Sequence, residues 1–327
     1  MLLRTVLLND ASAAPADTSL LPSVFHNHAV SGRRPQLRGA HNSTHFRRDS
    51  PPVKVSAPPP PVHVGLLAGH SPAAWKDAPK EGTVDAVKQN LQVYAAAVAT
   101  AAAAGVQLLL LPEAYGLWSS ATKDGFWEPL SNSSTPCSGA DASAQPMQKE
   151  LACLAAKHGV ALAYNGFVTR GGARRITEVV LDQKGALVAT YDKVHLFPVT
   201  ERAMGATAGV NAPVSFELLG RRWGVLICYE GVWPYTLDGN FKQMEALKAQ
   251  GAGSWLWSIG SEIPIDIAAK KLAKKFGVKI AATEDKSTPS FADELICEGA
   301  VECKHVDTAL PAITGYGAKA YVRSALL

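Results

Sequence analysis

The hydrophobic pattern divides the chain near residue 60. Before that point Arg, Ser, His and Pro are scattered without apolar periodicity after Leu21, and the stretch closes on PPVKVSAPPPP. Such a segment cannot bury enough apolar surface to offset its ordering entropy. Residues 1–60 are therefore expected to be a disordered leader ending in a stiff Pro-rich linker, and residues 61–327 a single domain. From Val62 onward strand-like and helix-like segments alternate. HVGLLA predicts a strand, Thr83–Ala104 a helix stopped by Gly105, and VQLLLL a second strand, which together make a βαβ unit. After a loop of roughly thirty residues, Gln145–His158 predicts a second helix ended by Gly159, and VALAYNGF a strand.

ITEVVLD and ALVATYD flank Gln183, Lys184 and Gly185 and read as a hairpin, as do SFELLG and RRWGVLIC around Gly220. Asn240–Gln250 and Ile263–Phe276 read as helices, SWLWSIG and VKIAATE as strands. After Lys286 the pattern weakens, and no fixed-period repeat is present. The fold class is α/β.

With 327 residues, 47% apolar and 18% charged, the chain can bury one sizeable core. The net charge of +4 lies in the leader, where seven Lys/Arg face three acids. The domain is therefore near neutral and offers no basic face for nucleic acid. No stretch reads as a membrane span, since the Ala-rich run 91–104 is too short and too weakly apolar.

Five cysteines leave an odd one over: Cys228 in an apolar strand, Cys137 in a Ser/Asn/Pro loop, Cys153 on the following helix, and the close pair Cys297 and Cys303. Two disulfides plus one catalytic thiol would account for all five and imply an oxidising compartment; five reduced thiols are the alternative. Sequons at Asn42 and Asn132 fit a secreted glycoprotein. MLLRTVLL is interrupted by Arg4 and makes a poor signal peptide, and the acid-poor leader also has the character of an organelle transit peptide.

Three strand-like segments each end on a reactive group: Glu113 in LLLLPEAYG, Lys193 in TYDKVHLFP and Cys228 in WGVLICYEG. Taken singly, each has an ordinary reading, respectively a solvated turn, a surface cation beside Asp192 and a small core residue. Together they supply a general base, a cation for a developing oxyanion and a thiol nucleophile, which suits acyl transfer at a carbonyl or nitrile carbon. Glu201 follows Lys193 by eight residues. Glu230 reads either as a pocket polar group or as a helix N-cap, and Trp257 or Trp233 as core residues that could line an acyl pocket. His195 reads as structural. No metal-ligand spacing is evident, because Cys297, Cys303 and His305 lack a fourth ligand, and no cofactor is required.

Leu111-Pro112-Glu113, Tyr191-Asp192-Lys193 running on to Leu196-Phe197, and Gly224 through Cys228-Tyr229-Glu230 resemble the markers of the nitrilase, or carbon–nitrogen hydrolase, superfamily. Within it, NLQVYAAAVATAAAAGVQLLLLPEAYG, the segment from Cys137 to LACLAAKHGVALAYN, and TEVVLDQKGALVATYDKVHLF are similar to the vanin and biotinidase branch over about Val62–Lys286. The resemblance implies a four-layer α-β-β-α sandwich, amidase chemistry on a small amide such as a pantetheine or biotinyl amide, a secretory route and a Cys137–Cys153 bridge. It assigns Glu113 as base, Cys228 as nucleophile, Lys193 with the Tyr229 N–H as oxyanion donors, and Glu201 as a partner for the lysine. Glu230 and Trp257 are the further candidates for substrate contact. The chain departs from that branch in having Cys228-Tyr229-Glu230 where the branch has Cys-Phe-Asp, and Trp257 to Ser261 where it has Thr-Ala-Trp.

A nitrilase or an amide acyltransferase would use the same trio, and a silent binding protein could keep the fold. A homo-oligomer is left open.

Overall fold

The computed structural model describes residues 60–69, 84–113, 126–198, 200–210, 213–233, 240–260, 265–284, 295–298, 302–305 and 320–327. The expected leader and the Asn42 sequon lie outside the described residues. Pro60 is the first residue described, and its carbonyl accepts from Arg221 Nε at 2.8 Å.

The described elements in chain order are β1 (His63–Gly69), α1 (Val84–Ala103), β2 (Leu108–Leu110), β3 (Glu128–Pro129), α2 (Pro136–Gly139), α3 (Pro146–His158), β4 (Ala161–Arg170), β5 (Ala173–Leu181), β6 (Leu187–Asp192), α4 (Thr200–Ala203), β7 (Ser215–Leu218), β8 (Arg221–Ile227), α5 (Tyr229–Trp233), α6 (Lys242–Ala249), β9 (Ser254–Ile259), α7 (Ile265–Phe276), β10 (Lys279–Glu284), β11 (Leu295–Glu298), β12 (Glu302–His305) and β13 (Ala320–Leu326).

Two sheets form. The first has the order β13-β1-β2-β4-β5-β6, with β3 beside β4, and the second β12-β11-β10-β9-β8-β7. The βαβ unit is formed: β1 and β2 pair in parallel, as do β2 and β4. Both expected hairpins are present, β5–β6 and β7–β8. The sheets face each other, with β1 against β10 and β4 against β9, while α1 and α3 pack together on one outer side and α6 and α7 on the other. The architecture is an α-β-β-α sandwich. Its inner faces read as near-continuous apolar runs because both faces of each central strand are covered; β9 is buried along its whole length.

Local sequence explains the helices that frame this core. Ala is the best helix former, and α1 puts Val87, Tyr94, Ala97, Val98 and Ala101 on its buried side. Pro146 opens α3 at its first turn, and Gly159 closes it in the left-handed conformation, with Lys157 and His158 in the last turn. The buried Glu128 carboxylate accepts from the Met147 and Gln148 N–H groups at 3.1 and 3.2 Å and caps the same helix start.

The Cys137–Cys153 disulfide implied by the resemblance is formed and ties α2 to α3. Cys297 and Cys303 stand opposite each other in the β11–β12 register.

Three strands lie in the region after Lys286 where the pattern weakens. The last of them, β13, pairs antiparallel with β1 along seven residues and completes the first sheet. Among its described side chains Val322 and Ser324 are buried while Ala325 and Leu326 are not, too little alternation to stand out. Among the described residues no helix is long and apolar enough to cross a membrane.

Candidate active site

Each of the three reactive groups sits one to three residues past the end of a strand. Beyond β2 the chain continues through Leu111 and Pro112 to Glu113, whose N–H donates to the Ile259 carbonyl at 3.2 Å. Beyond β6 comes Lys193, with its N–H bonded to the Ile176 carbonyl at 2.8 Å. Asp192 does not pair with this lysine: Thr177 Oγ1 donates to it at 2.7 Å and Arg170 lies at 3.2 Å. Beyond β8 comes Cys228, whose φ of 41° lies in the left-handed region. A non-glycine residue there is strained and is held in place by its surroundings.

Those surroundings are specific. Cys228 N–H donates to the Ser258 carbonyl at 2.7 Å, and its own carbonyl accepts from Trp257 Nε1 at 2.9 Å. The Gly260 N–H bonds to the thiol. Gly231, on the first turn of α5, must be glycine because a Cβ there would stand 2.2 Å from the Trp257 ring.

The ionic centre is sealed. Lys193 Nζ donates to Glu113 Oε1 at 2.7 Å and to Glu201 Oε1 at 2.5 Å, and none of the three side chains is more than 1% exposed. Glu201 Oε2 accepts from the Phe197 N–H at 2.8 Å, which fixes the carboxylate to the lysine loop. Burial alone would lower the lysine's pKa, but the charges of Glu113, Cys228 and Glu201 outweigh it and hold the ammonium above the ordinary lysine value. Burial pushes Glu201 up to about 7 against the pull of Lys193. Burial, reinforced by Glu113, also pushes the Cys228 thiol up, and Lys193 opposes this. The four groups therefore sense one another electrostatically in one buried site, which can hold a charged cation beside a thiol and pass a proton to an adjacent carboxylate.

The other candidates are placed differently from the expectation of substrate contact. Glu230 is fully buried, and its carboxylate accepts from Tyr191 Oη at 2.7 Å, Val194 N at 2.8 Å, His195 N at 3.3 Å and Ile227 N at 2.9 Å. Its valence is used in clamping the lysine loop to the nucleophile turn, so it is neither a pocket group nor an N-cap. Trp257 is likewise fully buried, and its indole N–H holds the Cys228 carbonyl. Tyr229 opens α5, and its ring meets Phe197 edge-on at 5.3 Å on the more exposed side. The side chain of Trp233 lies outside the described residues.

Two contributors had no role in the sequence reading. Tyr191 passes the Glu230 contact on to Gln243 Nε2, which donates to its hydroxyl at 2.6 Å. Ser258 lies beneath the nucleophile. Tyr191 stood in a recognised motif two residues before the lysine, which was the available signal; a serine in SWLWSIG gave none.

The carbon–nitrogen hydrolase family model matches residues 78–244. Among solved structures, an amidase from Nesterenkonia sp. AN1 is similar in fold. A glutamate-to-leucine mutant of that enzyme, showing covalent addition of the acetamide moiety of fluoroacetamide at its active-site cysteine, superposes with a TM-score of 0.59 at 20% identity, covering 81% of this chain and 90% of that one. Its cysteine-to-alanine mutant in complex with butyramide gives the same values. No curated protein matches the chain.

Proposed function

The chain belongs to the carbon–nitrogen hydrolase family, and from that premise we propose that it hydrolyses the C–N bond of a small amide through a thioester on Cys228. The observation that carries this reading is the fully buried Lys193 ammonium shared between Glu113 and Glu201 and coupled to the Cys228 thiol. A fold kept only for packing has no physical need of that arrangement.

In the proposed reaction Glu113 takes the thiol proton and Cys228 Sγ attacks the amide carbon. The carbonyl π electrons move to oxygen, where the Lys193 ammonium and the Tyr229 N–H stabilise the oxyanion; one such donor is commonly worth about 3–4 kcal/mol. Collapse breaks the C–N bond as Glu113 returns the proton to the leaving amine. Water then adds to the thioester with Glu113 accepting its proton, the C–S bond breaks, the thiol is restored and a carboxylic acid leaves. Glu201 keeps the lysine charged and oriented.

The narrower reading is a vanin- or biotinidase-like amide, supported by the Cys137–Cys153 bridge. The short amides of the Nesterenkonia enzyme offer the alternative, a small aliphatic substrate. A nitrilase or acyltransferase would use the same groups. Turnover of a panel holding butyramide, pantetheine and biotinyl amides, an aliphatic nitrile and an added amine acceptor separates these, with Cys228→Ala as control. Release of amine or ammonia that vanishes in Cys228→Ala supports the hydrolase; full turnover by that variant overturns it.

A secretory route is part of the proposal, supported by the disulfide and by exposed Asn132. Loss of mass on glycosidase treatment of the protein from its native source checks it, and an unmodified Asn132 counts against it.

A further inference from the structure

Near the trio lies a further buried acid that the proposed reaction does not use. Glu178 on β5 is 1% exposed, and it accepts from Ser258 Oγ of β9 at 2.7 Å. This hydrogen bond crosses from the first sheet to the second. On β9 the two residues either side of this point, with Ser258 itself, hold the catalytic backbone. The Ser258 carbonyl takes the Cys228 N–H, the Ile259 carbonyl takes the Glu113 N–H, and Trp257 Nε1 holds the Cys228 carbonyl. One short strand thus sets the distance from nucleophile to base, although the two belong to different sheets.

We propose that Glu178 is a positioning residue for the Cys228–Glu113 pair: through Ser258 it fixes, from the opposite sheet, the strand whose carbonyls hold both backbones. The inference rests on the amidase reading for the meaning of the pair, and on geometry alone for the link. Apolar contact between the sheets is non-directional, whereas a hydrogen bond in the low-dielectric interior is directional and electrostatically stronger than in water. A displacement of about 1 Å at reacting atoms costs on the order of a hundredfold in rate.

The electrostatics agree with this role. Asn165 stands opposite Glu178 on β4, and Tyr164 next to it senses the Glu178 charge. Burial pushes Glu178 up to about 8, the Ser258 and Asn165 side chains pull it down, and the acids Glu113 and Glu230 raise it further. Burial thus favours the neutral form of Glu178. When it ionises, it adds negative charge behind Glu113, which disfavours the Cys228 thiolate.

The test compares wild type, Glu178→Ala, Glu178→Gln and Ser258→Ala from about pH 6 to about pH 9.5, reading amide turnover and, separately, the alkylation rate of Cys228 by iodoacetamide. Glu178→Ala and Ser258→Ala are expected to lower kcat by about tenfold or more with KM within about threefold, and to change the alkylation rate of Cys228 in step. Glu178→Gln keeps an oxygen for Ser258 but cannot ionise. It should recover most of the kcat lost in Glu178→Ala and lack the decline above about pH 8 that is expected of wild type.

Wild-type kcat and alkylation in both Glu178→Ala and Ser258→Ala would overturn the proposal, as would a Glu178→Gln profile that keeps the wild-type alkaline decline. Should Glu178→Ala fail to fold, Ser258→Ala cuts the same bond with a smaller loss. If wild type turns over no amide at all, the amidase reading fails, while the alkylation rates still decide whether Glu178 positions the thiol.

Discussion

Tyr191 donates its hydroxyl hydrogen to Glu230 at 2.7 Å across 39 residues of sequence. The contact joins the strand that ends on the candidate cation to the turn that carries the nucleophile. Since the same carboxylate also takes the Val194, His195 and Ile227 N–H groups, it works as a hub between two sheets. Removing it leaves several buried donors without a partner, each costing about 1–3 kcal/mol. Glu230→Ala is expected to lose several kcal/mol of stability and at least about a hundredfold in kcat. Tyr191→Phe removes two buried bonds, the one it donates to Glu230 and the one it accepts from Gln243, and should lose about 1–3 kcal/mol. Chemical denaturation beside steady-state kinetics checks the pair.

Lys193→Met should lower kcat by about a thousandfold or more, because it removes the cation proposed to hold the oxyanion. It also strands buried Glu113 and Glu201 without their counter-charge, a change commonly worth about 3–5 kcal/mol. As Glu201 takes up its proton near pH 7, the stability deficit should shrink on acidification. Melting curves of wild type and variant on both sides of that pH read this directly; a deficit that grows at lower pH would contradict the charge assignment.

Glu128 and Glu201 are pushed up to about 7, and Glu178 to about 8, chiefly by burial, from the ordinary 4.5. For each acid the folded value stands above the unfolded one, so between about pH 4.5 and about pH 8 the folded chain binds more protons. Their contribution to stability is full below that window and is lost as pH rises through it. Tm is expected to fall from about pH 5.5 to about pH 8.5, and Glu128→Gln to flatten part of that slope. A Tm that rises steadily over the range would show that these acids fold ionised.

The Cys137–Cys153 bridge closes a loop with a sequence separation of 16, for which chain entropy gives about 3 kcal/mol. It joins α2 to α3, away from the buried trio. Mild reduction, or paired Cys137→Ala and Cys153→Ala changes, should lower Tm by several degrees while leaving kcat close to wild type. A large fall in kcat with Tm unchanged would place the bridge in the site's own support.

Much of this was legible in the sequence for physical reasons that apply element by element. The strands ending on Glu113, Lys193 and Cys228 announce themselves because apolar runs stop on a reactive side chain. The helix α3 carries its own start and stop residues, Pro146 and Gly159, and Gly105 follows the end of α1. The clamp at Glu230 was not legible, since its four donors are backbone and phenol groups that only the fold brings together. Trp257 reads as a core residue that could line an acyl pocket, and its sequence gives no direction; in the fold its indole N–H donates to the Cys228 carbonyl. Glu178 was hidden in the apolar strand ITEVVLD, where a lone acid has no spacing rule to mark it. β13 was hidden by its sparse alternation, with pairing to β1 supplying what periodicity lacks.

The central claim is a covalent acyl-enzyme on Cys228. Intact-protein mass spectrometry after rapid quench with a turned-over amide tests it most directly. The account predicts a mass increase equal to the acyl group, mapped to the peptide holding Cys228 and absent in Cys228→Ala. Amide turnover with no adduct under burst conditions, or an adduct that persists in Cys228→Ala, would contradict it.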